Sequence, residues 1–231
     1  MPFFAPLFRD RRDAGRQLAA ALASYRKDRP VVLALPRGGV PVGFEVAKAL
    51  AAPLGVVLVR KIGAPGHEEL GLGAIVNGRD PQLVLNEDLV RAVAPPPGYI
   101  EAEAQRQLAE IERRRRHYLG DRPPVPVKGR VAIVIDDGIA TGGTVKAALR
   151  GLARNEPARL VLAVPVAPGA SLEELAAECD DIVCLATPEP FYAVGPHYRD
   201  FRQTEDEEVV RLLAEARQWA LADAGARQPA D

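Results

Sequence analysis

Residues 131–144, VAIVIDDGIATGGT, constrain the fold of this chain more than any other stretch. From Val131 to Ile135 the residues are apolar and mostly β-branched, the pattern of a strand buried on both faces. Two adjacent carboxylates, Asp136 and Asp137, end the run, and small residues then lead into the helix-like VKAALRGLAR. Open parallel sheets bind ligands beyond the carboxyl ends of their strands. A bend of small residues that opens a helix presents free backbone N–H groups and the positive end of a dipole, which suits phosphate. Two carboxylates beside a phosphate would repel it unless they hold a cation or accept hydrogen bonds from sugar hydroxyls. The ligand implied is a sugar phosphate. The competing account makes the two acids helix caps and nothing more.

The rest of the chain supplies the frame that such a strand needs. Buried-strand patterns fall at 31–35, 54–59, 160–166 and 182–185, and helical spacing falls at 12–25, 40–50, 171–178 and 205–221. Ser171 and Glu174 form a capping-box pattern for the third of these helices. Strands alternating with helices give an α/β fold on a doubly wound, mostly parallel sheet. With 231 residues the chain could form one large α/β domain or two small ones and can bury a substantial core, and a single domain, 1–231, is expected. Apolar runs around Asn77-Gly78 predict a β-hairpin within 60–85. Residues 86–128 read as a helical insertion, with a short helix at 87–93, a proline break and a polar helix at 100–119. Its Arg113–Arg116 run follows Glu110 and Glu112 at the spacing of helix ion pairs, so a solvated face accounts for it better than nucleic acid does.

The net charge of −1 offers nucleic acid and membrane surfaces no bulk attraction. No run approaches the roughly 18 apolar residues of a membrane helix, and the first residues lack the order of a secretion signal, so a cytoplasmic location is expected. Cys179 and Cys184 read as small buried apolar residues, and the three histidines show no metal-ligand spacing. Phe3, Phe4 and Phe8 crowd the first ten residues, an arm expected to pack onto the body or a second subunit.

The strand, the acid pair and the A-T-G-G-T turn closely resemble the phosphoribosyl-pyrophosphate (PRPP) loop of the type I phosphoribosyltransferases. The resemblance covers most of 30–200 and implies the fold of that family, with a flap at 60–85 and a hood at 187–204 joined by 1–10. It implies that Asp136 and Asp137 hold the ribose hydroxyls, directly or through Mg²⁺. Gly138, Ile139, Ala140, Thr141, Gly142, Gly143 and Thr144 would hold the 5′-phosphate.

Three weaker motifs follow the same order. Pro36-Arg37-Gly38-Gly39 is similar to the family's pyrophosphate loop, although the same residues also make an ordinary β–α turn. Arg60-Lys61 in VLVRKIGAPG is similar to the adenine enzymes, and a solvated cation pair is the alternative. Gly63, Gly66, Gly71 and Gly73 suit a mobile flap, from which Glu68 or Glu69 could reach the substrate, although simple surface acids are the better account of these two. Phe191, Tyr192, Tyr198 and Phe201 offer flat faces to a planar base, or else pack the chain's return; Phe191 and Val194-Gly195 resemble the hood of the hypoxanthine enzymes.

The activity implied is Mg²⁺-dependent transfer of 5-phosphoribose from PRPP to a small-molecule acceptor, by a homodimer, with Arg37 and Lys61 stabilising the leaving pyrophosphate. One departure bears on the acceptor. Enzymes for 6-oxopurines carry an aspartate where this chain has Ala140, which argues against hypoxanthine and guanine. The rival implied by the same resemblance is a PRPP-sensing regulator that binds without transfer.

Overall fold

A computed structural model describes residues 5–77 and 81–225, without the side chains of residues 68, 69 and 220–225. Five parallel strands form the central sheet in the order β2-β1-β6-β7-β8: β1 (Val31–Ala34), β2 (Leu54–Val56), β6 (Val131–Ile135), β7 (Arg159–Val166) and β8 (Asp181–Ala186). The apolar run at 131–135 takes the middle position, and alternate residues serve opposite faces. Ile133 and Ile135 join one buried cluster with Leu18, Phe44 and Leu212, while Ala132 and Val134 join another with Val145, Leu149 and Leu162. The first cluster is closed by α1 (Arg11–Ala21), α2 (Gly39–Leu50) and α7 (Asp206–Gly225), and the second chiefly by α5 (Gly143–Ala153). Burial on both faces is why these strands read as continuous apolar runs.

A second, antiparallel sheet contains β3 (Val59–Ala64), β4 (His67–Val76) and β5 (Gln82–Leu85). The β4–β5 pairing fits the hairpin expected around Asn77, whereas Gly78 lies outside the described residues. The strand expected at 54–59 is divided: the central sheet's β2 stops at Val56, β3 runs from Val59 to Ala64, and the reversal is a tight turn at Gly66, whose φ is +73°. The β3–β5 unit is well packed. Ile62 and Leu72 are fully buried in the cluster that holds Phe44, and the Tyr99 hydroxyl donates to the Gly63 carbonyl at 3.0 Å. Gly73 answers a packing need, since a Cβ there would lie 2.4 Å from the Val84 carbonyl oxygen.

The insertion contains α3 (Glu87–Val93) and α4 (Tyr99–Leu119). Its arginines pair on their own helix as the spacing predicts, Arg113 and Arg114 with Glu110, and Arg115 and Arg116 with Glu112, at 2.7–2.8 Å. Two expected helices are differently bounded. The first ends at Ala21 and tightens into a 3₁₀ stretch over Ala23–Asp28, because Leu22 and Tyr25 are three apart, a spacing the tighter turn also satisfies. Helix α6 (Gly169–Leu175) starts after Pro168, so Ser171 is not its cap; Ser171 lies in the first turn and donates to the Ala140 carbonyl at 3.0 Å.

Candidate active site

The end of β6 and the bend after it form one face of the site. Ile139 is buried, and its N–H reaches the Val166 carbonyl at 2.9 Å, which fixes the bend to the end of β7. Gly138 has no room for a side chain, since a Cβ would lie 2.5 Å from Val194. Ala140, Thr141, Gly143 and Thr144 are exposed. Gly142 adopts φ +74° at the N-cap of α5, and no side chain caps that helix. The first-turn N–H groups of α5 therefore face open space with the positive end of the helix dipole, the arrangement that binds phosphate.

The acid pair stands beside this bend. Both residues are half-buried, and the Asp137 N–H donates to Asp136 Oδ1 at 2.9 Å. Burial and the adjacent Asp137 charge push the Asp136 pKa well up. Burial also raises that of Asp137, against the pull of the Arg11 guanidinium. Arg11, the first residue of α1, donates from Nε to Asp137 Oδ2 at 2.7 Å. The Tyr198 hydroxyl donates to the Asp137 backbone carbonyl at 2.5 Å.

The Pro36–Gly39 turn packs against the same pair. The Pro36–Arg37 peptide is cis. Gly38 is in the ordinary helical region, φ −60°, so it is not there to adopt a special angle. A Cβ on it would lie 2.0 Å from Asp137 Oδ2, and one on Gly39 would lie 2.7 Å from the Ile135 carbonyl oxygen and 3.0 Å from the Asp136 Cα. The two glycines admit the acid pair. Arg37 is partly exposed, with Nη1 3.9 Å from both Glu205 and Asp206.

The remaining expected residues divide. Lys61 and Thr144 line one cleft of about 550 Å³ together with Gly143 and Lys146, so the β3 cation does face the bend. Its neighbour Arg60 points the other way, donating to Gln107 Oε1 on α4 at 2.9 Å. In the hood, Tyr198 is buried and stacks on Phe201, and the Arg11 guanidinium lies 3.9 Å from the Phe201 ring centroid. Both of these rings are taken by the protein itself. Phe191 is half-buried and stacks on His197, while Tyr192 is 86% exposed. Phe8 is buried and pairs with the segment 197–199 through backbone hydrogen bonds, so residues 8 and 9 are joined to the segment 197–200. Phe3 and Phe4, and the side chains of Glu68 and Glu69, lie outside the described residues.

Sequence reasoning missed Arg11 and the Tyr198 contact, because 126 and 61 residues separate them from Asp137. The usable signal was the arm's crowd of phenylalanines, which pointed to packing but not to a cation at its end.

An uncapped helix start at the carboxyl end of the middle strand, beside paired acids, on a doubly wound sheet, marks a ligand-binding class of α/β domain. The phosphoribosyl transferase domain matches residues 10–199, and the chain belongs to that family. Two curated proteins of Mycobacterium tuberculosis, Rv0571c and MT0597, both named provisionally as phosphoribosyl transferases, are each 49% identical over 220 residues. That alignment takes in 95% of this chain and 49% of each relative, so the chain spans about half the length of the curated relatives it matches. The crystal structure of TT1426 from Thermus thermophilus is 46% identical, with a TM-score of 0.80 over 90% of this chain and 98% of that one. Among the described residues no helix is long and apolar enough to cross a membrane.

Proposed function

We propose that the chain transfers a 5-phosphoribosyl group from PRPP to a nitrogenous acceptor, releasing pyrophosphate. The observation that carries this reading is the uncapped start of α5 directly beyond two adjacent carboxylates at the end of the central strand. The bend takes the 5′-phosphate, and the acids take the 2′- and 3′-hydroxyls of the ribose. Within the protein the Asp137 N–H donates to Asp136 Oδ1, Arg11 donates to Asp137 Oδ2, and the two side chains meet each other, a contact that the hydroxyls of a diol would replace.

A magnesium ion fits this site only as part of a substrate complex. No cluster of three or more His, Cys, Asp or Glu side chains suited to a metal occurs among the described residues. Magnesium keeps several waters and needs only one or two carboxylates alongside substrate oxygens, which Asp136 and Asp137 can provide. When bound, the ion supplies positive charge to the leaving group. Arg37 and Lys61 add fixed cations on the pyrophosphate side, and Arg37 has only loose contacts to release. The hairpin sheet limits the access of water, which competes as a nucleophile. Tyr192 is the open hood ring for a planar acceptor, Phe191 has one face taken by His197 and offers only the other, and Ala140 favours an acceptor other than a 6-oxopurine.

Titrating PRPP with and without Mg²⁺, then following pyrophosphate release over a panel of bases, tests the reading. Tight binding and turnover on one acceptor support it, and binding with no turnover on any base identifies a PRPP sensor. Replacing both acids, Asp136→Asn with Asp137→Asn, is expected to abolish PRPP binding with the fold retained. Unchanged affinity would remove both residues from the site.

A further inference from the structure

We propose that Arg11 is the positioning residue of the ribose site, holding Asp137 in register with the sugar and tying it to the hood. The inference rests on the reading of the acid pair as the ribose site. Its observations lie elsewhere, in how one guanidinium joins three segments distant in sequence. Nε donates to Asp137 Oδ2 at 2.7 Å, and Nη1 donates to the Arg202 carbonyl at 2.6 Å. The guanidinium also lies against the Phe201 ring, 3.9 Å from its centroid. The Arg11 and Asp137 side chains are only 12% and 14% exposed, so the pair is shielded from the screening that makes surface ion pairs weak.

Arg11 is not there for its own helix. It is the first residue of α1, where a cation opposes the dipole. The start of α1 is already secured, because Asp10 caps it through the Asp13 N–H at 2.8 Å. Residues 8 and 9 are fixed in turn, since their carbonyls accept from the Arg199 and Asp200 N–H groups at 2.9 and 2.8 Å. A locally unfavourable residue held by two anchors and aimed at a ligand-facing acid is the mark of a functional constraint.

On the other side the carboxylate lies against Gly38, where a Cβ would stand 2.0 Å from Oδ2. Arg11 takes Oδ2 of an acid that also meets the Asp136 side chain, so one guanidinium bears on the orientation of both carboxylates. Two adjacent carboxylates match two adjacent hydroxyls. Because the same guanidinium binds the Arg202 carbonyl and Phe201, a shift of the hood on seating the acceptor would be felt at the sugar.

The test compares two probes, ribose 5-phosphate and inorganic phosphate, on wild type, Arg11→Met and Arg11→Lys by calorimetry. Losing a charged hydrogen-bonding partner predicts about a tenfold weaker affinity for ribose 5-phosphate in Arg11→Met, with phosphate affinity within about twofold of wild type. Arg11→Lys keeps the charge and one donor, so part of the ribose affinity should return. Equal weakening toward both probes would reduce Arg11 to a structural role and overturn the proposal. Wild-type ribose affinity in Arg11→Met would overturn it too, while the loss in the double Asn variant would leave the ribose site itself standing. If wild type bound phosphate but neither ribose 5-phosphate nor PRPP, the ribose reading would fail and this inference with it. Should Arg11→Met not fold, the ratio measured on Arg11→Lys decides by the same criterion.

Discussion

Two glycines that look alike in the sequence should respond oppositely to the same substitution. In Gly38→Ala the new methyl would stand 2.0 Å from Asp137 Oδ2 and 2.6 Å from its Cγ, well inside van der Waals contact. The carboxylate has to move, and its ion pair with Arg11 at 2.7 Å moves with it. Overpacking of this kind costs about 1–3 kcal/mol when neighbours can adjust, rising toward about 3–5 kcal/mol if the shielded pair is broken. In a chain of this size each kcal/mol lowers the melting temperature by roughly 2–4 °C, so a fall of at least 2 °C and up to about 12 °C is expected for the milder case. In Gly143→Ala the methyl meets nothing within 4 Å, and the residue does not have a positive φ. Alanine is the better helix former by about 1 kcal/mol, so stability should hold or rise. PRPP affinity should nevertheless drop about tenfold, since the methyl enters the space kept for phosphate. Differential scanning calorimetry and titration calorimetry on the two variants give both readouts. A Gly38→Ala protein as stable as wild type would refute the packing argument, and a destabilised Gly143→Ala protein would refute the claim that its open side is reserved for ligand.

Three further expectations can be checked on the same apparatus. Gly151→Ala would place a methyl 2.7 Å from Val76 Cβ, forcing α5 and β4 apart; a net loss of about 1–2 kcal/mol should remain after the helix-propensity gain, and a stabilised variant would show a looser contact. Tyr198→Phe removes the hydroxyl that donates to the Asp137 carbonyl, and urea unfolding should read a loss of about 1 kcal/mol with the ring packing intact. The arginines of α4 pull Glu110 and Glu112 down to about 2 from an ordinary 4.5. An acid whose pKa falls on folding stabilises the fold above its unfolded value and loses that contribution as pH drops toward the folded one. Helicity of α4 should thus weaken between pH 4.5 and 2, and added salt should cost more at pH 6 than at pH 2; the pairs are exposed, so the effect is small.

Legibility of the sequence followed the range of the forces involved. The middle strand and its bend were readable because burial on both faces, paired acids and small residues all act within fourteen consecutive positions. The arginine run of α4 was readable because helix ion pairs join residues three or four apart. Gly38 was read for backbone freedom, yet its small size answers a carboxylate 99 positions later, and no local rule contains that neighbour. Arg60 and Lys61 were read together, but alternation along β3 sends one to Gln107 and the other to the cleft beside Thr144. Ser171 matched a capping pattern, and Pro168 moved the helix start so that its hydroxyl serves Ala140 instead.

The pairing of Phe8 and Arg11 with residues 198–202 has an implication for biosynthesis. A chain leaving the ribosome can form its central strand and bend once residue 166 has emerged, because Ile139 is tied to the Val166 carbonyl, but the Arg11 guanidinium at Asp137 waits for the backbone of Arg202. On the proposed reading of the site, the competence to retain a sugar phosphate follows the bend rather than arriving with it, and truncation before residue 198 should leave the bend present and the sugar site slack.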